Sequence, residues 1–168
     1  VLSTENLKLD GSLFATGNKD KGGSVIVMSE NSIQTSAKTV IDVSGQLKGG
    51  TAQLLAKVKN KVSGNIFANS NLGKGGNIDI TAEKTEIEKA EINAIGPQMG
   101  GKVRIGGEYL GGNLTNLDNK IKKGFVSRFG DHPPIDNSKQ TIVKADSNID
   151  VSSDLGKGGT AVIWSDEM

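Results

Sequence analysis

Gly-Gly pairs begin at Gly22, Gly49, Gly75, Gly100 and Gly158, at spacings of 27, 26, 25 and 58 residues. Three spacings are nearly equal, and the fourth is either about two periods plus a few residues or one period plus an insertion of about thirty. A fixed period of this length is the mark of a chain built by stacking one small unit on the next. The segments after the pairs are SVIVMS, TAQLLA, NIDITA, KVRIGG and TAVIWS. Their second and fourth residues are Val25 and Val27, Ala52 and Leu54, Ile78 and Ile80, Val103 and Ile105, Ala161 and Ile163. All ten are apolar, which is the period-two pattern of a strand with one buried face. The alternate positions, Ser24, Gln53, Asp79, Lys102, Arg104 and Thr160, are expected on a solvated outer face.

A second strand phrase precedes each pair: Leu13/Ala15, Ile41/Val43, Ile66/Ala68, Ile92/Ala94 and Ile149/Val151. A third, weaker one centres on Ile33, Val58, Ile87 and Val143. The stretch TAEKTEIEKAEI (Thr81–Ile92) has helix-forming composition, but the repeat assigns its Ile87 and Ile92 to strands. Three short strands in roughly 26 residues predict a parallel β-helix with coils about 4.8 Å apart. About six coils, two of them partial, make one unit over residues 1–168, a rod roughly 30 Å long. The ten glycines Gly22, Gly23, Gly49, Gly50, Gly75, Gly76, Gly100, Gly101, Gly158 and Gly159 are expected at the corners, where φ > 0 permits a tight turn. The repeated phrase LGKGG is not a phosphate loop, because a strand follows it rather than a helix N-terminus.

Composition agrees with a narrow core. Only 4% of residues are aromatic, and 23 of 168 are glycine, about twice the usual share of roughly 7%. The balance of 20 Lys+Arg against 19 Asp+Glu offers no net field for nucleic acid. No cysteine is present, so disulfides and thiol chemistry are excluded. One histidine without cysteine does not make an ordinary zinc cage, and the calcium-binding nonapeptide is absent. No metal or cofactor is expected. The chain begins and ends inside patterned sequence, so it is expected to be a segment of something longer.

The repeat is interrupted at 106–140, read as a loop insertion between coils. It holds the only tyrosine and histidine, Tyr109 and His132, with Phe125, Phe129, Lys122, Lys123 and Arg128. A long excursion from a rigid rod either covers one of its faces or carries a contact surface. These seven residues are the candidate contact residues. Asn113 opens the only Asn-x-Ser/Thr triplet, Asn113-Leu114-Thr115, a candidate glycosylation site. Asp131-His132 is not a dyad, since adjacent side chains rarely face each other. Asp42, Asp79 and Asp150 lie on strand phrases and could share a groove. They are the basis of an alternative reading as a polysaccharide lyase or hydrolase on the same fold.

GGKVRIGGEYLGG (Gly100–Gly112), an irregular loop, then IVKADSNIDVSSDLGKGGTAVIWSDEM (Ile142–Met168) resembles the large exoproteins of the filamentous haemagglutinin family. The likeness covers roughly the last 70 residues; the first 99 resemble generic coils of the same type. It implies a right-handed parallel β-helix in the shaft of a secreted bacterial surface fibre. It implies two-partner secretion through an outer-membrane β-barrel transporter of a Gram-negative bacterium. It implies a non-enzymatic, adhesive role, with a host-cell or bacterial surface receptor or glycan as partner.

Overall fold

The computed structural model describes residues 1–113, 118–120, 122–124 and 133–167. They form an all-β chain: β1 (Leu2–Leu9), β2 (Ser12–Phe14), β3 (Ser24–Thr35), β4 (Val40–Asp42), β5 (Thr51–Ala56), β6 (Lys59–Phe67), β7 (Asn77–Thr81), β8 (Lys84–Asn93), β9 (Lys102–Ile105), β10 (Gln140–Val143), β11 (Asn148–Asp150) and β12 (Thr160–Ile163). Every strand pairing is parallel. The chain is a β-solenoid of about four full turns with roughly 26 residues per turn. The helix-like stretch at Thr81–Ile92 runs from the last residue of β7 into β8, with no helix in it, so tertiary pairing overrides local propensity.

One interior column runs the length of the stack. Leu2, Val27, Leu54, Ile80, Ile105 and Ile163 are successive partners in register. The four central members are fully buried, while Leu2 and Ile163 at the two ends are 41% and 53% exposed. Ile163 was expected in the core; it occupies the core row but has no described coil above it. A second column runs through Leu13, Ile41, Ile66, Ile92 and Ile149.

The third face departs from expectation. Val58 lies between β5 and β6 and is 47% exposed. The partner of Ile33 is Asn60, followed by Thr85 and Thr141. Asn60 is fully buried and donates its Nδ2 to Leu54 O at 2.8 Å and Thr81 O at 3.3 Å. These bonds tie the corner between two coils and offset part of the cost of an amide in the interior. Val62, two residues on, pairs with Ile87 and restores the apolar row.

The corner glycines have a different cause from the one expected. None of the ten has positive φ. They are required by close approach of backbone to backbone. A Cβ on Gly22, Gly49, Gly75 or Gly100 would come within 1.8 to 2.1 Å of a carbonyl oxygen in the following coil. A Cβ on Gly50, Gly76, Gly101 or Gly159 would come within 2.0 to 2.2 Å of one in the preceding coil. The second glycine also closes its own coil: Gly50 N donates to Val43 O, Gly76 N to Ala68 O, Gly101 N to Ala94 O and Gly159 N to Val151 O, at 2.6 to 2.7 Å. The first glycine bonds across coils, as in Gly49 N to Lys74 O at 2.9 Å. Gly23 and Gly158 lie in terminal rungs and are less confined. Their Cβ would meet atoms at 3.1 Å and 4.0 Å respectively.

Candidate contact surface: the insertion and the face it covers

The outward positions of the first strand face form a row: Gln53, Asp79, Arg104 and Val162. Asp79 and Arg104 are 2% and 1% exposed, so the expected solvated face is covered here. The residues that root the insertion cover it. Arg104 Nε donates to Asp79 Oδ1 at 2.7 Å, and Arg104 Nη1 to Glu108 Oε1 at 2.5 Å. Gln53 Nε2 donates to Asp79 Oδ2 at 2.9 Å, and Ile135 N to Glu108 Oε1 at 2.9 Å. The buried guanidinium is thus paired with a carboxylate through Nε and another through Nη1 where water is excluded. This lock ties the coil stack to both roots of the insertion. No sequence signal marks it, because a charged residue at an alternate strand position reads as exposed.

Further bonds hold the roots together. Glu108 N donates to Asn137 Oδ1 at 3.0 Å, and Asn137 Nδ2 to Gly111 O at 3.0 Å. Ser138 is fully buried; its hydroxyl bonds that of Thr85 at 2.9 Å, and its N–H reaches Gly106 O at 2.7 Å. Gly106, at φ 76°, admits no side chain: a Cβ would lie 1.9 Å from Thr141 Oγ1 and 2.3 Å from Trp164 O. Thr141 Oγ1 donates to that same Trp164 carbonyl at 2.6 Å. A Cβ on Gly111, at φ 63°, would lie 3.1 Å from the Trp164 ring. Trp164 Nε1 in turn donates to Asp166 Oδ1 at 2.7 Å. The two motif phrases, far apart in sequence, thus meet around one tryptophan.

The candidate contact residues divide. Tyr109 belongs to a 3-10 turn over Tyr109–Gly112 and is 37% exposed. Lys122 is half-buried, while Lys123 and Asn113 are exposed. Phe125, Arg128, Phe129 and His132 lie outside the described residues. Asp79 is committed to Arg104, and Asp42 and Asp150 are three rungs apart in one row, through Phe67 and Asn93. Three rungs are about 14 Å, beyond the roughly 5–9.5 Å of a glycosidase carboxylate pair. Among the described residues no group of three His, Cys, Asp or Glu side chains could hold a metal ion, and no helix is long and apolar enough to cross a membrane.

The neighbouring face carries an ionic network. Lys61 and Lys144 both reach Glu86 and Glu88, the shortest contacts being Lys144–Glu86 at 2.7 Å and Lys61–Glu88 at 2.8 Å. Hydrogen bonds from Lys61 and Lys144 pull the Glu88 carboxyl down to about 2, and the bond from Lys144 also lowers Glu86. The same carboxylates raise Lys144.

No family model matches the chain, and no curated protein and no solved structure matches it.

Proposed function

We propose that this chain is a structural and adhesive segment of a secreted bacterial surface fibre. In this reading the coil stack is shaft and the insertion, rooted at Arg104, Glu108 and Asn137, presents a contact surface. The fibre is exported through a partner β-barrel of a Gram-negative outer membrane. Its receptor is a component of a host or bacterial surface, and nucleic acid is not a partner. The observation that supports this most is the meeting of the two motif phrases. Gly106, Gly111 and Trp164 carry the resemblance to the filamentous haemagglutinin-type exoproteins, and both glycines pack against Trp164. A motif whose residues jointly fasten an insertion onto a solenoid has a structural reason to recur as a unit.

The test is a chain lacking 113–133, joined by a short Gly-Ser linker. Both roots of the insertion remain, so the Arg104 lock is kept and the coils are expected to fold. Attachment to cultured epithelial cells or to bacteria, read by flow cytometry, is expected to fall to background. Full attachment by a folded deletion chain would remove the insertion from the adhesive surface.

A further inference from the structure

A groove of about 560 Å³ runs across the corner that follows β2, β4 and the end of β6. Asp42, Phe67, Gln46, Asn69 and Asn71 line it. Phe14 and Phe67 flank Asp42 in one row, each one rung away. The two rings are therefore two rungs apart, about 10 Å, which is close to the length of two sugars in an extended chain. Phe14 is 67% exposed. A large apolar ring held in water on a β-rod adds nothing to the core.

Four polar side chains of the groove, Asp42, Gln46, Asn69 and Asn71, are each held by one bond and keep a second polar atom for a ligand. Asp42 Oδ1 accepts the N–H of Ser44 at 2.8 Å, leaving Oδ2. Asn69 Oδ1 accepts the N–H of Ile95 at 2.9 Å, leaving Nδ2. Asn71 Nδ2 donates to Gln46 Oε1 at 3.0 Å, leaving Asn71 Oδ1 and Gln46 Nε2. Donors and acceptors thus alternate beside a ring. A sugar needs that combination: hydroxyls that donate and accept, and a C–H face that packs on an aromatic. Side chains already held in place lose little freedom on binding. The one charged side chain lining the groove is Asp42, which favours an uncharged ligand over an anionic one.

We propose that this groove binds an uncharged oligosaccharide lying along the coil stack, with Phe14 and Phe67 as stacking platforms. The proposal rests on the adhesive reading and gives it a ligand class, but its site is separate from the insertion.

The experiment is calorimetric titration of the chain with cellohexaose, xylohexaose, mannohexaose and chitohexaose, with a heparin hexasaccharide as the anionic comparison. At least one uncharged hexasaccharide is expected to bind. Phe67→Leu and Asn71→Ala are each expected to weaken it by about tenfold or more, as loss of a central contact does, with unfolding midpoints close to the parent's. Phe14→Ala, at an exposed position, is expected to weaken binding without any effect on folding. The proposal is overturned if no uncharged oligosaccharide binds, or if the variants bind as the parent does. It is also overturned if only the heparin fragment binds and Lys48→Ala abolishes that binding. That result would assign recognition to the exposed row Lys21, Lys48, Lys74 and Lys157. Cell attachment that persists when no hexasaccharide binds would sink the groove and leave the adhesive reading standing.

Discussion

Gly76→Ala is expected to destabilise the chain by about 3 kcal/mol or more, while Gly158→Ala stays within about 0.5 kcal/mol of neutral. The two glycines belong to the same repeated phrase. They differ in what lies against them. A Cβ on Gly76 would meet Gly50 O at 2.1 Å and Gly49 C at 2.6 Å, both backbone atoms of the adjoining coil. Backbone cannot swing aside as a side chain can, so two coils must separate. That separation also strains the bond from Asn77 N to Gly50 O, now 2.9 Å. A Cβ on Gly158 meets nothing nearer than Val151 O at 4.0 Å. Urea unfolding of the two variants measures the difference. Equal costs would mean that the glycines serve turn conformation and not the contact between coils.

The second large effect is at the buried lock. Arg104→Met leaves Asp79 and Glu108 without their shared cation, and breaking a buried ion pair costs about 3–5 kcal/mol. Asp79→Asn is expected to cost less, since Arg104 and Glu108 remain paired and only the charge-assisted bond at Arg104 Nε is weakened. Lys57→Ala removes an exposed ion pair with Glu30, both partners about two-thirds exposed, and is expected to cost about 0–1 kcal/mol. Thermal unfolding gives the stability term. Limited proteolysis gives a second readout, because Glu108 and Ile135 tie down both roots of the insertion. Arg104→Met is expected to speed cleavage within 113–133 well before the coils unfold. Unchanged cleavage would show that the insertion is held by other contacts.

Much of the fold is legible because parallel coils repeat the same demand at each rung. Every interior position of the first and second strand phrases must be apolar, so Val27, Leu54, Ile80 and Ile105 announce themselves. Asn60 does not, because its burial depends on two carbonyls from other segments, Leu54 O and Thr81 O. Val58 misleads for the complementary reason: its side chain is apolar, but the chain is still turning there. Asp79 and Arg104 obey the alternation and do point out of the coil. What covers them is the insertion, which breaks the repeat and whose docking has no periodic signal. The corner glycines are visible as a pattern, but a sequence cannot tell a glycine needed for φ from one needed for space. The groove beside Asp42 is built from second-strand and corner residues of successive coils. It becomes visible only once the register sets Phe14, Asp42 and Phe67 in one row.

The register is the central claim, and a distance across the stack tests it most directly. Lys21, Lys48, Lys74, Met99 and Lys157 are bridged in succession along one edge of the rod. Lys21 and Lys157 are thus four rungs apart, about 19 Å, although 136 residues separate them in sequence. Both are exposed, and the chain has no cysteine, so Lys21→Cys/Lys157→Cys takes two spin labels cleanly. Pulsed electron-spin dipolar spectroscopy is expected to give one narrow distribution centred near 19 Å, widened only by the label tethers. A broad distribution, or a centre beyond about 35 Å, would contradict the stacked register on that rung spacing.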